Sequence, residues 1–173
     1  EPCHFNSPRE AVAAGIGVIY QERQIMLELT VGENIFLGRL PTGFMGRIKM
    51  REVHSRAQAI IDEFGLDMKS TDKVKDLSVA YQQMVEITKV TSKGCRIVVF
   101  DEPTSSLTEN EIERLFKIIF ALKKKGVGII YISHRLEELP VIADRITVMR
   151  DGRYVDTRNM ADVTMDDIIS MMV

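Results

Sequence analysis

Two short apolar runs that each stop at charged or polar groups, with one well-marked helix between them, constrain this fold most. In RIVVF (96–100) no polar side chain follows Arg96, and the run ends at Asp101-Glu102. GIIYIS (128–133) ends at His134. Runs this short without alternation suit strands covered on both faces, as in a parallel sheet. Between them Thr108 and Glu111 make a capping box, and Ile112, Leu115, Ile119 and Leu122 form a helical stripe. Lys123 to Lys125, then Gly126, close that helix. GIGVIYQE (15–22) repeats the strand pattern and runs out at Gln21. ITVMR and YVDT flank Asp151-Gly152, a two-residue hairpin turn. Thr164 with Asp167 starts a last helix through Met172. Strand, helix, strand and terminal hairpin together predict an α/β fold with a largely parallel sheet.

Residues 30–95 interrupt that alternation with mostly helical sequence. TVGENIFLG (30–38) reads as a helix start followed by a loop. Val53, Ala57, Ile60, Ile61 and Phe64 share one helical face that Gly65 ends, and a further helix runs from about Ala80 to Val90 with Met84, Ile87 and Val90 as its stripe. We therefore expect one domain over 1–173, with 1–29 and 96–173 as a core part and 30–95 as an inserted helical subdomain. A length of 173 residues suits one domain. The formal charge of −2 gives no electrostatic case for a nucleic-acid partner. No apolar run approaches the roughly 18 residues that span a bilayer. Cys3 and Cys95 have no pattern and suit reduced thiols better than a disulfide framework.

In parallel sheets ligands sit beyond the carboxyl ends of the strands, and three strands here end in Gln21, Asp101-Glu102 and His134. Asp101 offers a hard oxygen ligand for Mg²⁺, and Gln21 an amide oxygen that adds no charge. Glu102 is placed to orient or deprotonate a water, and His134 to offer a neutral donor to a phosphoryl group. Taken singly, each has a plain alternative: a solvated acidic turn, a structural histidine, a surface glutamine.

The combination resembles the nucleotide-binding domain of ABC transporters, a P-loop NTPase-like fold, across nearly the whole chain. Gln21 corresponds to that family's Q-loop glutamine, LSVAYQQ (77–83) to its signature, IVVFDE (97–102) to Walker B, SSLT (105–108) to the D-loop, and His134 to the switch histidine. AGIGVIYQE, QQMVEITKV, DEPTSSLTENE and YISHRLEE are most similar to ATPases of bacterial ribose, galactose and xylose importers, of which this would be the first of two tandem domains. The resemblance implies ATP and Mg²⁺ as cofactors, Glu102 and His134 as catalytic residues, and Asp101 with Gln21 at the metal. It implies nucleotide contacts from Ser78, Val79, Ala80, Tyr81, Ser105 and Ser106 as well as Gln21. The partners implied are a second ABC domain, membrane permease subunits facing residues 23–45, and a periplasmic sugar-binding protein indirectly, all from the cytoplasmic face of the membrane.

The sequence contains no G-x-x-x-x-G-K-[ST], the loop that wraps nucleotide phosphates. With Glu-Pro-Cys rather than Met at its start, the chain reads as a domain incomplete at its N-terminus, binding ATP poorly by itself and exposing apolar sheet surface. Departures from the family pattern are Ala80 for a glycine, Tyr81 for a glutamine, Thr108 for the D-loop aspartate, and Pro140 inside the helix expected after His134. Ala80 is harmless in a helical backbone and costs about 1 kcal/mol or more in a left-handed one. A soluble ABC-type ATPase and a non-catalytic half that completes a partner's ATP site remain the alternatives.

Overall fold

The computed structural model describes residues 3–172. Its first elements are α1 (Pro8–Ala13), β1 (Ile16–Ile19), α2 (Val31–Ile35), α3 (Met50–Glu63) and α4 (Val79–Thr91). Then come β2 (Ile97–Asp101), α5 (Glu109–Lys124), β3 (Gly128–Ile132), α6 (Leu139–Ile142), β4 (Arg145–Arg150), β5 (Arg153–Asn159) and α7 (Met165–Met172). The chain divides into two compact units that meet in sequence between Ile132 and Ser133.

The first unit is built on a parallel sheet ordered β1-β2-β3, with Ile19 opposite Phe100 and Phe100 opposite Tyr131. Strand alternation puts Gly17, Ile19, Val98, Phe100 and Tyr131 on one face. That face carries the core. Phe116 of α5 meets the Tyr131 ring edge-on at 6.4 Å, and Tyr131 lies 6.3 Å from Phe100. α4 comes so close to β1 that a Cβ at Gly17 would stand 2.5 Å from Val90 Cγ1 and 2.8 Å from Cys95 Sγ, so only glycine fits there.

The opposite face departs from strands covered on both sides and carries the exposed apolar sheet surface that was also expected. Ile97, Ile130 and Ile132 keep 36%, 51% and 47% of their surface exposed. The physical reason is that α4 and α5 both pack on the Phe100 face, and a strand is buried only where another layer meets it.

Between β1 and β2, α2, α3 and α4 pack as a helical group, with Val31, Ile35, Val53, Ala57, Ile61, Val85 and Ile87 all fully buried. α2 begins with a capping box in which the Glu33 carboxylate accepts from Thr30 N–H at 2.8 Å and from its hydroxyl at 2.7 Å. α5 starts as expected, with Glu111 accepting from Thr108 N–H at 2.9 Å and from the Thr108 hydroxyl at the same distance.

In the second unit Pro140 shortens the helix after His134 to the four residues of α6, because proline is tolerated only in the first turn. β4 and β5 pair antiparallel around a turn in which Asp151 and Gly152 both have positive φ, 51° and 73°. That geometry belongs to the type I′ turns that join two-residue hairpins. α7 opens at Thr164, whose hydroxyl and N–H both donate to Asp167, and buries Ile168 beside β4.

Candidate functional site

Gln21 lies two residues past Ile19, and Asp101 and Glu102 follow Phe100, so three polar residues leave the adjacent strands β1 and β2 at one carboxyl edge. Asp101 is still in register opposite Ile132, and Glu102 N–H donates to the Ile132 carbonyl at 3.0 Å. Glu102 then takes a left-handed backbone at φ 47°. A residue with a side chain is strained there by about 1 kcal/mol or more, which is typical of sites where geometry matters more than stability. The turn is tied back on itself. Ser105 donates its hydroxyl to the Glu102 carbonyl at 3.3 Å, and Leu107 N–H donates to Thr104 O at 3.1 Å. Thr104 is buried, while Ser105 and Ser106 face outward.

α4 supplies the second group. Ser78 is its N-cap, exposed, with its hydroxyl accepting from Tyr81 N–H at 3.4 Å. Val79 is 45% exposed at the first helical position. Ala80 lies inside the helix, buried, and is absent from the positive-φ residues, so its methyl introduces no backbone strain. Tyr81 is directed onto α5: Arg114 donates to its phenolic oxygen at 2.7 Å and places its guanidinium 5.6 Å from the ring centre. Gln83, buried one turn further on, donates to the Pro103 carbonyl. The opening of α4 is thus fastened to both the turn after Glu102 and the side of α5.

His134 is the second residue of the second unit and is exposed. Its neighbours are held by the buried Glu138, which accepts from the Ser133 hydroxyl at 3.2 Å and stands 3.4 Å from Arg135 Nε. Ser133 Oγ in turn accepts from Arg135 N–H at 2.9 Å.

The segment after Gln21 has no regular secondary structure, yet its peptide groups are held. Gln24 N–H donates to Glu86 Oε1 at 3.1 Å, and Lys89 donates to the Gln24 carbonyl at 2.6 Å. Fully buried Asn34 accepts from Met26 N–H at 2.8 Å and donates to Met26 O at 2.9 Å. Lys73 donates to the Glu28 carbonyl at 2.8 Å.

A profile of the ABC transporter family matches residues 3–105. The chain belongs to the ABC transporter family. Among curated relatives, a putative ribose/galactose/methyl galactoside import ATP-binding protein of Agrobacterium fabrum is 45% identical over 172 residues, which is 99% of this chain and 34% of that protein. A ribose import ATP-binding protein of Halalkalibacterium halodurans is 46% identical over 98% of the chain and 34% of its own length. The chain therefore spans about a third of the length of the curated relatives it matches. A solved ATP-binding cassette of an ABC transporter superposes with a TM-score of 0.77 at 23% identity, covering 96% of this chain and 71% of the other. Part of the ABC transporter complex cbiONQ of Clostridium perfringens superposes with a TM-score of 0.74 at 20% identity, covering 94% and 65%. The fold is that of the ABC ATPase cassettes. Gln21, Ser78 to Tyr81, Asp101, Glu102 and Ser105 fall within the span matched to the ABC transporter profile; Ser106 and His134 lie beyond it.

The ABC transporter edge formed here suits Mg²⁺ in donor type, since that ion takes one or two carboxylates and keeps several waters. Asp101 and Gln21 would supply two oxygens. Among the described residues no group of three or more His, Cys, Asp or Glu is arranged to hold a metal by itself, so the remaining ligands would be water and phosphate oxygens. ATP fits less well. Without a G-x-x-x-x-G-K-[ST] loop this sequence has no cradle for the β- and γ-phosphates.

Sequence reasoning missed Glu86, Asn34, Gln83 and Glu138, the buried polar side chains that hold these loops. Glu86 left one signal, a carboxylate beside Ile87 on a helix that is otherwise nearly all core.

Proposed function

We propose that this chain is part of the ATP-binding, ATP-hydrolysing subunit that energises sugar import through an ABC transporter. The observation that carries this reading is the convergence of Gln21, Asp101 and Glu102 on one carboxyl edge of adjacent parallel strands. The printed functions of the relatives, import of ribose and galactosides, support the sugar assignment. Asp101 and the Gln21 amide bind the metal. The Glu102 carboxylate orients and deprotonates the attacking water, and His134 donates a hydrogen bond to the phosphoryl group. Ser78, with the N–H groups of Val79 and Ala80 at the helix start, faces the phosphates of a nucleotide bound on a second ABC domain, while Tyr81, Ser105 and Ser106 line its approach. The subunit works at the cytoplasmic face of the membrane, docked on permease subunits that a periplasmic sugar-binding protein serves; no nucleic acid takes part. In this reading 1–29 and 96–173 form the catalytic core part and 30–95 the helical subdomain.

The test is a chimera in which this chain replaces the aligned third of the Agrobacterium fabrum relative. Sugar uptake and Mg²⁺-dependent ATP turnover should be retained, and Glu102→Gln should lower turnover by about 10²-fold or more. Turnover indifferent to Glu102→Gln overturns the reading. A second reading, a chain that only completes a partner's site, is favoured by the missing phosphate loop. It requires that the chain alone show no low-micromolar binding of a fluorescent ATP analogue and that Glu102→Gln leave the chimera unaffected.

A further inference from the structure

We propose that Glu86 and Lys89, one turn apart on α4, are positioning residues that lock the segment following Gln21 to that helix by holding both backbone polar groups of Gln24. The geometry is specific. Glu86 Oε1 accepts the Gln24 N–H at 3.1 Å, and Lys89 Nζ donates to the Gln24 carbonyl at 2.6 Å, so the two peptide units that flank one residue are gripped by two opposite charges. Residues three apart on a helix present side chains on the same face, which is what lets the pair reach a single residue. Hydrogen bonds to charged groups are the stronger kind; the one to Glu86 is part-buried and the one from Lys89 is exposed.

Glu86 is a costly residue for such a place. It is 2% exposed, and its second carboxylate oxygen, Oε2, has no hydrogen-bond partner among the described residues. A buried acceptor left unmade is destabilising, so packing alone accounts poorly for a carboxylate among Val85, Ile87 and Val90. The grip on Gln24 accounts for it.

The same segment is held at two further points, Met26 by Asn34 and Glu28 by Lys73, so alternate peptides at 24, 26 and 28 are each fixed from a different part of the chain. α4 also carries Ser78 at its start and reaches the Pro103 carbonyl through Gln83. The segment after Gln21, the Ser78 cap and the turn after Glu102 are thereby mounted on one helix. The consequence for nucleotide chemistry rests on the ATPase reading above; the clamp does not.

The experiment is residue-resolved amide hydrogen exchange on this chain and on Glu86→Gln, Glu86→Leu and Lys89→Met. Glutamine keeps a carbonyl oxygen for the Gln24 N–H, whereas leucine keeps the bulk and loses the acceptor. Glu86→Leu should speed exchange of the Gln24 amide by about tenfold or more, while Glu86→Gln stays within about threefold of the parent. Amides in α3 from Ala57 to Ile61 should keep their protection in every variant. Lys89→Met should loosen the carbonyl side, with faster exchange of the Met26 amide's neighbours at 25 and 27. The proposal is overturned if the Gln24 amide is unprotected in the parent chain, if glutamine is as damaging as leucine, or if leucine loosens α3 equally. Should the leucine variant fail to fold, parent protection and the glutamine rescue still decide the matter. No nucleotide enters the measurement, so failure of the ATPase reading would leave its result standing.

Discussion

Glu102 holds a backbone conformation that its side chain makes unfavourable, at φ 47°, at the point where β2 hands over to the PTSS turn. Glycine removes the clash between Cβ and the following carbonyl. Glu102→Gly should therefore stabilise the chain by up to about 1 kcal/mol in urea unfolding while removing the carboxylate from the sheet edge. A loss of stability would mean that the carboxylate makes contacts worth more than the strain. Glu86 makes the opposite kind of prediction. Burial pushes its carboxyl above the ordinary value, with the Gln24 hydrogen bond, Lys89 and Arg23 pulling back. With the folded value raised, the folded state holds the proton more tightly than the unfolded one. Stability from this group is then full below the unfolded carboxylate pKa of about 4.3 and is lost as pH rises through the folded value. Glu86→Gln should gain on the parent across and just above the carboxylate range, and the gap should close at lower pH. A gap independent of pH would contradict this. Neither property was legible from the sequence: DE after a strand announces carboxylates without their φ, and a glutamate one position off an apolar stripe looks like a surface residue until Gln24 is found above it.

Helix starts were the readable elements. Thr30, Thr108 and Thr164 each meet a carboxylate three residues on, a purely local interaction that sequence spacing encodes in full. The same holds for Asp151-Gly152, and for Ser78 as the cap that keeps Ala80 helical. Strand environment was not readable from the runs themselves, because an apolar run carries no record of how many layers meet it; the exposed sheet surface was expected only from the missing phosphate loop. RIVVF and GIIYI look buried on both faces, yet Ile97, Ile130 and Ile132 stand partly bare. That face, with β1 and β3 as edges, should make the isolated chain self-associate. Ile130→Thr combined with Ile132→Thr, which keeps strand-forming residues, should shift the sedimentation profile toward monomer with an unchanged far-ultraviolet spectrum. An unchanged profile would place the association elsewhere.

Across the whole chain, the order of motifs carried more than any one of them. Gln21, the LSVAYQQ helix start and IVVFDE are weak singly, and the profile match over residues 3–105 contains all three. What the order did not convey is how the loops between elements are held, since this depends on buried polar side chains from distant positions, such as Asn34 on Met26 and Glu138 beside Ser133. No helix among the described residues is long and apolar enough to cross a membrane. The pinned segment from Gln24 to Glu28 has one more consequence. Arg23 beside it is exposed, so its bond to Gln24 looks open to trypsin. A protease, however, must draw several residues of extended backbone into its cleft, and here the peptides at 24, 26 and 28 are already taken. Nicking at Arg23 thus waits for the segment to lift from α4, and a coil that looks like the chain's weakest seam is cut only as fast as it lets go.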